Sequence, residues 1–273
     1  MENRKFGMEI EMSLPVSVED WMNLSDTYKN EYGLLSYVNQ HEQHGVDRGY
    51  DLHITYDGSV NNHGGQYGWE IITRPMRLSE ANFIHSLKLM LLDLYRKGGK
   101  TDYSCGLHVH VDRHLLRGCH LANILMFYMT HQDVLYNLMP ASREESSYAN
   151  RFPDYAFAEF ANRFRELGDN LDAGDVYVVF GGEFDRYQLI NFEPINHGHF
   201  EIRVGIGTIN PRRMFNWVEL QLSIVKFVAE SADTLNIDKL ASYPSDIENF
   251  LDGFNLTERL KEYYLSEYRR WGR

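Results

Sequence analysis

The chain has 273 residues, 43% of them hydrophobic and 24% charged, with a formal net charge of −12. That length supports a sizeable core and those proportions exclude a disordered chain. The acidic balance argues against a nucleic-acid surface, which needs a basic face, and suits a site whose acidic groups are neutralised by metal ions.

No apolar run approaches the roughly 20 residues that span a bilayer. The opening MENRKFG lacks an apolar signal core, so a cytoplasmic location is expected. With no sign of export, Cys105 and Cys119 are expected as free thiols.

Lys5–Met12 reads KFGMEIEM. A strand has a side-chain period of two, so Glu9 and Glu11 share one face while Met8, Ile10 and Met12 take the other. Two carboxylates roughly 7 Å apart repel unless water or cations screen them. Alone, the stretch reads as a half-exposed edge strand with a wet acidic face; similar pairs that recur later in the chain point instead to a site.

Val16–Asn39 suggests a helix and loop around Val18–Met22, and a His- and Gly-rich loop follows over 41–49. Leu52–Tyr56 alternates as a strand and stops at the turn signal Asp57-Gly58. An open loop leads to a strand over Tyr67–Thr73 that carries Glu70 and ends before Pro75. Ser79 reads as the N-cap of a helix whose stripe is Phe83, Leu87, Met90, Leu91 and Leu94, stopped by Gly98-Gly99. Leu107–Val111 is a strand, and Leu121–Leu138 reads as one long apolar helix ending near Pro140.

A helix is expected near Tyr155–Leu167. The Asp- and Gly-containing stretch after it, Leu167–Gly182, reads as a mobile lid. Gln188–Phe192 and Phe200–Val204 look like paired strands with a turn at Asn196-His197-Gly198. Pro211 opens a helix buried along Met214, Val218, Leu222, Val225 and Val228. Two amphipathic helices occupy about 244–273, and no repeat or linker divides the chain, so a single domain is expected. Polar strands alternating with apolar-striped helices give an α+β class: a mainly antiparallel sheet, backed by helices on one face and open as a polar site on the other.

The most informative stretch is Cys105–Asp112, CGLHVHVD. His108 and His110 share a strand face and can ligate one metal together, or one can bind metal while the other meets a ligand. The same period places Glu201 and Arg203 on one face: a carboxylate for a cation beside a guanidinium for phosphate oxygens, or a surface ion pair. Glu70 is a further acidic strand residue between apolar neighbours.

The order FGMEIEM, DGSV, GWEIITRP, CGLHVHVD, SREESSYA, RYQLINFEP and HFEIRVGIGTINP resembles the putative amidoligase family, from about Lys5 to about Trp217. That family belongs with carboxylate–amine ligases similar to glutamine synthetase and glutamate–cysteine ligase. GLHVH resembles the Gly-x-His-x-His strand of glutamine synthetases, and Glu201-x-Arg203 their late Glu-Phe-Arg, with Ile202 in place of Phe.

The resemblance implies a curved antiparallel sheet forming a funnel for ATP and Mg²⁺ or Mn²⁺, the fold of a glutamine synthetase catalytic domain. It implies Glu9, Glu11, Glu70, His108 and Glu201 as metal ligands and His110 near the nucleotide. Arg203, with Arg186 or Arg143, would lie near the transferred phosphate, with Asn191 in a supporting role. Asp57 and Ser59 would touch the incoming amine or acceptor. The implied reaction is ATP-dependent amide formation between a carboxylate and an amine of an amino acid, peptide or protein, through an acyl phosphate. The sequence carries no Walker-type Gly-rich loop, so ATP use is expected on the resemblance. Two other readings stand beside the ligase: a hydrolase or oxygenase holding one Zn²⁺ or Fe²⁺ on His108, His110 and a Glu, and a non-catalytic binding or structural member of the fold.

Overall fold

The computed structural model describes residues 4–39, 49–61, 66–231 and 233–272. It is a mixed α/β protein with a seven-stranded, mostly antiparallel open sheet. The chain falls into two compact units, Met1–His110 with Gly205–Phe215, and Val111–Val204 with Asn216–Arg273.

In the first unit, strand β1 (Phe6–Leu14) is buried along its whole length. Helix α1 (Val18–Tyr32) runs well past the expected Met22. It starts at a reciprocal cap between Ser17 and Asp20 and stops at Gly33, whose φ of 68° is left-handed. Strand β2 (Ser36–Asn39), absent from the sequence reading, pairs parallel with β3 (Leu52–Tyr56). Both β3 and β4 (Tyr67–Thr73) keep their expected bounds and pair antiparallel. The loop expected over 41–49 lies, apart from Gly49, outside the described residues, as do 62–65 of the next loop.

Helix α2 (Ala81–Arg96) buries Ile84, Leu87, Met90, Leu91 and Leu94. Its N-cap is Glu80 instead of Ser79. Phe83 stays half-buried because Arg74 lies over its ring, 4.1 Å from the centroid. Gly98 ends the helix region with φ of 92°. Strand β5 (Gly106–Asp112) contributes Gly106–His110 to this unit. The core here is Met8, Ile10, Met12 and Leu14 of β1 with Leu52, Ile54, Ile71 and the α2 stripe, all buried.

In the second unit the expected helix over Leu121–Leu138 is two: α3 (Gly118–Thr130) and α4 (Gln132–Asn137), divided at His131. A short helix α5 (Ala141–Glu144) precedes α6 (Asp154–Leu167). The stretch read as a mobile lid contains a packed helix, α7 (Ala173–Gly181), with Val176, Val179 and Phe180 buried. Asp172 caps it reciprocally with Asp175, so the Asp residues mark a helix start and not a loose loop. Strand β6 (Ile190–Asn191) pairs antiparallel with β7 (His199–Ile206). A 3-10 turn over Glu193–His197 joins them, ending at Gly198 with φ of 94°, where a simple three-residue turn was expected.

Helix α8 (Pro211–Ser231) has proline first, as expected, and Met214, Val218, Val225 and Val228 buried; Leu222 is half-buried. The short α9 (Ile237–Ala241) and α10 (Ile247–Asp252) lead to α11 (Glu258–Trp271). The core of this unit includes two aromatic groups, with Phe152, Phe160, Phe180, Phe192 and Phe200 buried in one region. Phe127, Tyr243, Phe250 and Phe254 group in another.

Strand order in the sheet is β2-β3-β4-β1-β5-β7-β6. Cys105 and Cys119 are both free and buried. No helix among the described residues is long and apolar enough to cross a membrane.

Candidate active site

In the first unit, β1 and β4 pair so that Glu11 stands directly opposite Glu70, and β3 places Thr55 on the other side of Glu70. Cross-strand partners lie about 5 Å apart, and like charges so placed destabilise a sheet unless something compensates. Both carboxylates are buried, Glu11 at 8% and Glu70 at 6% exposure, so water screens them little. The Gly106 N–H donates to Glu11 Oε2.

Glu9, one strand pleat away, sits between the two histidines of β5. His108 Nδ1 is 2.9 Å from Glu9 Oε2, and His110 Nε2 is 2.9 Å from Glu9 Oε1. The other His108 nitrogen, Nε2, lies 3.5 Å from Glu11 Oε1. Burial by itself raises the Glu9 carboxyl. The charge of His110 and the hydrogen bonds from both imidazoles outweigh it, and the net result lies well below the usual carboxylate range.

Asp57 follows β3 in a tight turn, its Oδ1 accepting from the Ser59 N–H at 2.8 Å and the Ser59 hydroxyl at 2.7 Å. Its N–H donates to Gly68 O at 3.0 Å. Gly68 is required there, because a Cβ would stand 2.2 Å from the Asp57 carbonyl oxygen. Two sets of ligand atoms result, each with its members within 4.8 Å of one another: Glu9, Glu70 and His108, and Glu11, Asp57 and Glu70. Buried carboxylate oxygens with one imidazole are a donor chemistry that suits Mg²⁺ or Mn²⁺, so these residues fit the cation the resemblance implies.

In the second unit, β7 presents Glu201 and Arg203. Arg203 Nη1 lies 2.5 Å from Glu201 Oε1, and Asn191 Nδ2 donates to Glu201 Oε2 at 2.9 Å. The Arg203 Nε–H donates to the Tyr148 carbonyl at 3.0 Å, and its guanidinium carbon is 5.9 Å from the Tyr187 ring centroid. Arg186 is exposed and rests on the same tyrosine, 5.0 Å from the centroid. Arg143 is 2% exposed and donates to two main-chain carbonyls of β7, those of Arg203 and Val204.

The first unit therefore gathers Glu9, Glu11, Glu70, His108, His110, Asp57 and Ser59, and the second gathers Glu201, Arg203 and Asn191. Arg143 and Arg186 occupy different surroundings, one inside the unit and one at its surface. The sequence reading gave Asp57 a substrate contact and did not group it with Glu11 and Glu70. The β3–β4 pairing brings it there, since Asp57 follows Tyr56, the partner of Trp69. Tyr148 was missed because it acts through its main-chain carbonyl, which no side-chain pattern reveals.

No curated protein matches the sequence. A family model described as "putative amidoligase enzyme" matches residues 2–225, which include every residue of both groups. The chain belongs to the family of putative amidoligase enzymes.

Proposed function

We propose that this protein is an ATP-dependent carboxylate–amine ligase that forms an amide or peptide-like bond through an acyl phosphate, on a sheet of the glutamine synthetase catalytic-domain kind. The observation that carries the proposal is the buried Glu11–Glu70 cross-strand pair with Asp57 beside it, an arrangement of negative charge that calls for a cation. Family membership supports a carboxylate and an amine as the substrates.

Glu9, Glu11, Glu70, Asp57 and His108 are the residues that would hold Mg²⁺ or Mn²⁺, with Glu201 assigned a cation as well. Such ions, when bound, offset the repulsion between an attacking carboxylate and a polyphosphate. The chain's own groups supply the rest. Arg203 presents a planar fork of donors and a permanent charge to the phosphoryl group in transfer. Glu201 and the Tyr148 carbonyl hold that fork in one orientation. Asn191 steadies Glu201, and His110, less buried than His108, is assigned to the nucleotide. Ser59 keeps Asp57 turned inward, at the side assigned to the incoming amine. Arg186, on the surface beside Tyr187, is assigned to anionic substrate groups.

The test is ATP turnover with Mg²⁺ across pairs of amino acids and peptides, with products identified by mass. The expected product is the sum of the two substrates less one water, with ADP and phosphate released. Replacing Arg203→Lys should raise the barrier by about 2–4 kcal/mol while ATP affinity hardly changes. An Arg203→Lys enzyme with wild-type turnover, or ATP left intact with every pair, would overturn the proposal.

A further inference from the structure

Strand β7 is irregular at the position that matters most. Ile190 pairs with Ile202, and the residue just before β6, Leu189, faces two residues of β7 instead of one. Its carbonyl accepts from both the Arg203 N–H at 2.9 Å and the Val204 N–H at 3.2 Å. Two consecutive N–H groups on one carbonyl define a β-bulge, a device that bends a strand and re-aims a side chain.

The carbonyls of the same two residues also share one partner. Consecutive strand carbonyls ordinarily point in opposite directions, but Arg203 O and Val204 O both accept from the Arg143 guanidinium, through Nη2 and Nε. A second tie comes from the same stretch of chain, since Tyr148 O accepts from the Arg203 Nε–H. The stretch is itself anchored. The Asn150 N–H donates to Tyr187 O at 2.6 Å, and the Leu189 N–H donates to Asn150 O at 2.9 Å.

We propose that Arg143 is a positioning residue that staples the Arg203–Val204 bulge, and so sets where the Arg203 guanidinium points, without itself touching the phosphoryl group. A guanidinium suits this task. Its rigid fork meets two carbonyls through two separate nitrogens in a fixed plane, whereas the ammonium of lysine is a single rotatable centre. At 2% exposure Arg143 is closed to a ligand as large as a polyphosphate, whereas Arg203 is 9% exposed. The stretch Ala141–Asn150 thus acts on Arg203 from both ends, gripping its main chain through Arg143 and its side chain through Tyr148. The inference rests on the phosphoryl role proposed above for Arg203.

Side-chain guanidinium NMR separates the two. The Arg203 Nε–H signal is assigned by its loss in Arg203→Lys, and the Arg143 signal by its loss in Arg143→Lys. In the unliganded wild type, both hydrogens should exchange slowly with water, and that of exposed Arg186 quickly. In Arg143→Lys the Arg203 signal should shift or broaden, and turnover should fall about 10²-fold with the KM for ATP nearly unchanged, the scale of a small misplacement near the chemistry. Arg186→Lys should leave the Arg203 signal where it was.

An Arg203 signal identical in wild type and folded Arg143→Lys would overturn the staple. If Arg143→Lys does not fold, the wild type decides: Arg143 hydrogens exchanging as fast as those of Arg186, or an Arg143 signal that moves with Arg203 when ADP and Mg²⁺ are added, would overturn it. Should the Arg203 signal ignore ADP and Mg²⁺ while Arg143→Lys still displaces it, the staple stands and the phosphoryl role falls.

Discussion

Cys105 precedes the Gly106 N–H that Glu11 accepts from, and its thiol shows what the surroundings of that carboxylate do to an ionisable group. Burial pushes the thiol up to about 12, with the charges of Glu11 and Asp102 acting in the same direction. A thiolate is the reactive form, so Cys105 is expected to be inert to iodoacetamide at pH 8 in the folded protein and to react on unfolding. Peptide mapping after alkylation measures this, and rapid native labelling of Cys105 would contradict it. Gly207 makes the neighbouring demand on backbone space: a Cβ there would meet the Cys105 Cβ at 2.4 Å, so the chain leaving β7 runs against Cys105 only as glycine. Cys105 is buried and Gly207 packs directly against it, and in such surroundings an uncompensated negative charge is costly.

At the scale of elements, the junction of α3 and α4 is a histidine with both ring nitrogens facing carbonyls. His131 Nδ1 is 2.9 Å from Phe127 O, and Nε2 is 3.1 Å from Tyr243 O. Its ring stacks on Phe127 at 4.1 Å. Burial lowers its pKa from the ordinary 6.5, and the two carbonyls oppose that only in part. A base with a depressed folded pKa binds fewer protons folded than unfolded, so its contribution is present above the unfolded value and is lost as pH falls below it. Unfolding free energy should therefore decline from about pH 6.5 downward, by at most roughly 1.4 kcal/mol per pH unit from this group. Denaturant titrations of wild type and His131→Gln across that range measure it; equal slopes in both would sink the assignment. Helix α7 teaches the complementary lesson. Val176, Val179 and Phe180 recur at helical spacing within a stretch whose Asp and Gly residues suggested a loop, and the apolar spacing prevailed because burying those three side chains outweighs the local turn preference.

For the molecule as a whole, a net charge of −12 means that cations bound to the native state act against self-repulsion as well as at the site. Ligand bound only by the folded chain stabilises by about 2.7 kcal/mol at one hundred times its Kd. For a chain of this size each kcal/mol moves the thermal midpoint by about 2–4 °C. Millimolar Mg²⁺ or Mn²⁺ is thus expected to raise Tm by several degrees, NaCl of equal ionic strength to raise it less, and Glu11→Gln to diminish the metal-specific part. Scanning calorimetry reads all three, and identical shifts from NaCl and Mg²⁺ would remove the case for a built cation site.

The strand faces were legible in the chain itself. Side-chain alternation is a local property, so Glu9 with Glu11, His108 with His110 and Glu201 with Arg203 could be paired on a face from spacing, and β3 and β4 could be bounded to the residue. The order of motifs likewise led to the family before any fold was known. Register was not legible, because nothing within β1 says which residue of β4 lies across from Glu11, and the loop between β3 and β4 is too long for a turn type to dictate it. Only the folded sheet set Glu70 opposite Glu11 and brought Asp57 beside them. The bulge at Arg203–Val204 is a main-chain event between Leu189 and β7, and the Arg143 guanidinium reaches the main-chain carbonyls of that bulge from about sixty residues away. Main-chain hydrogen bonds leave no signature in side-chain identity, so that part of the site was decided by tertiary structure.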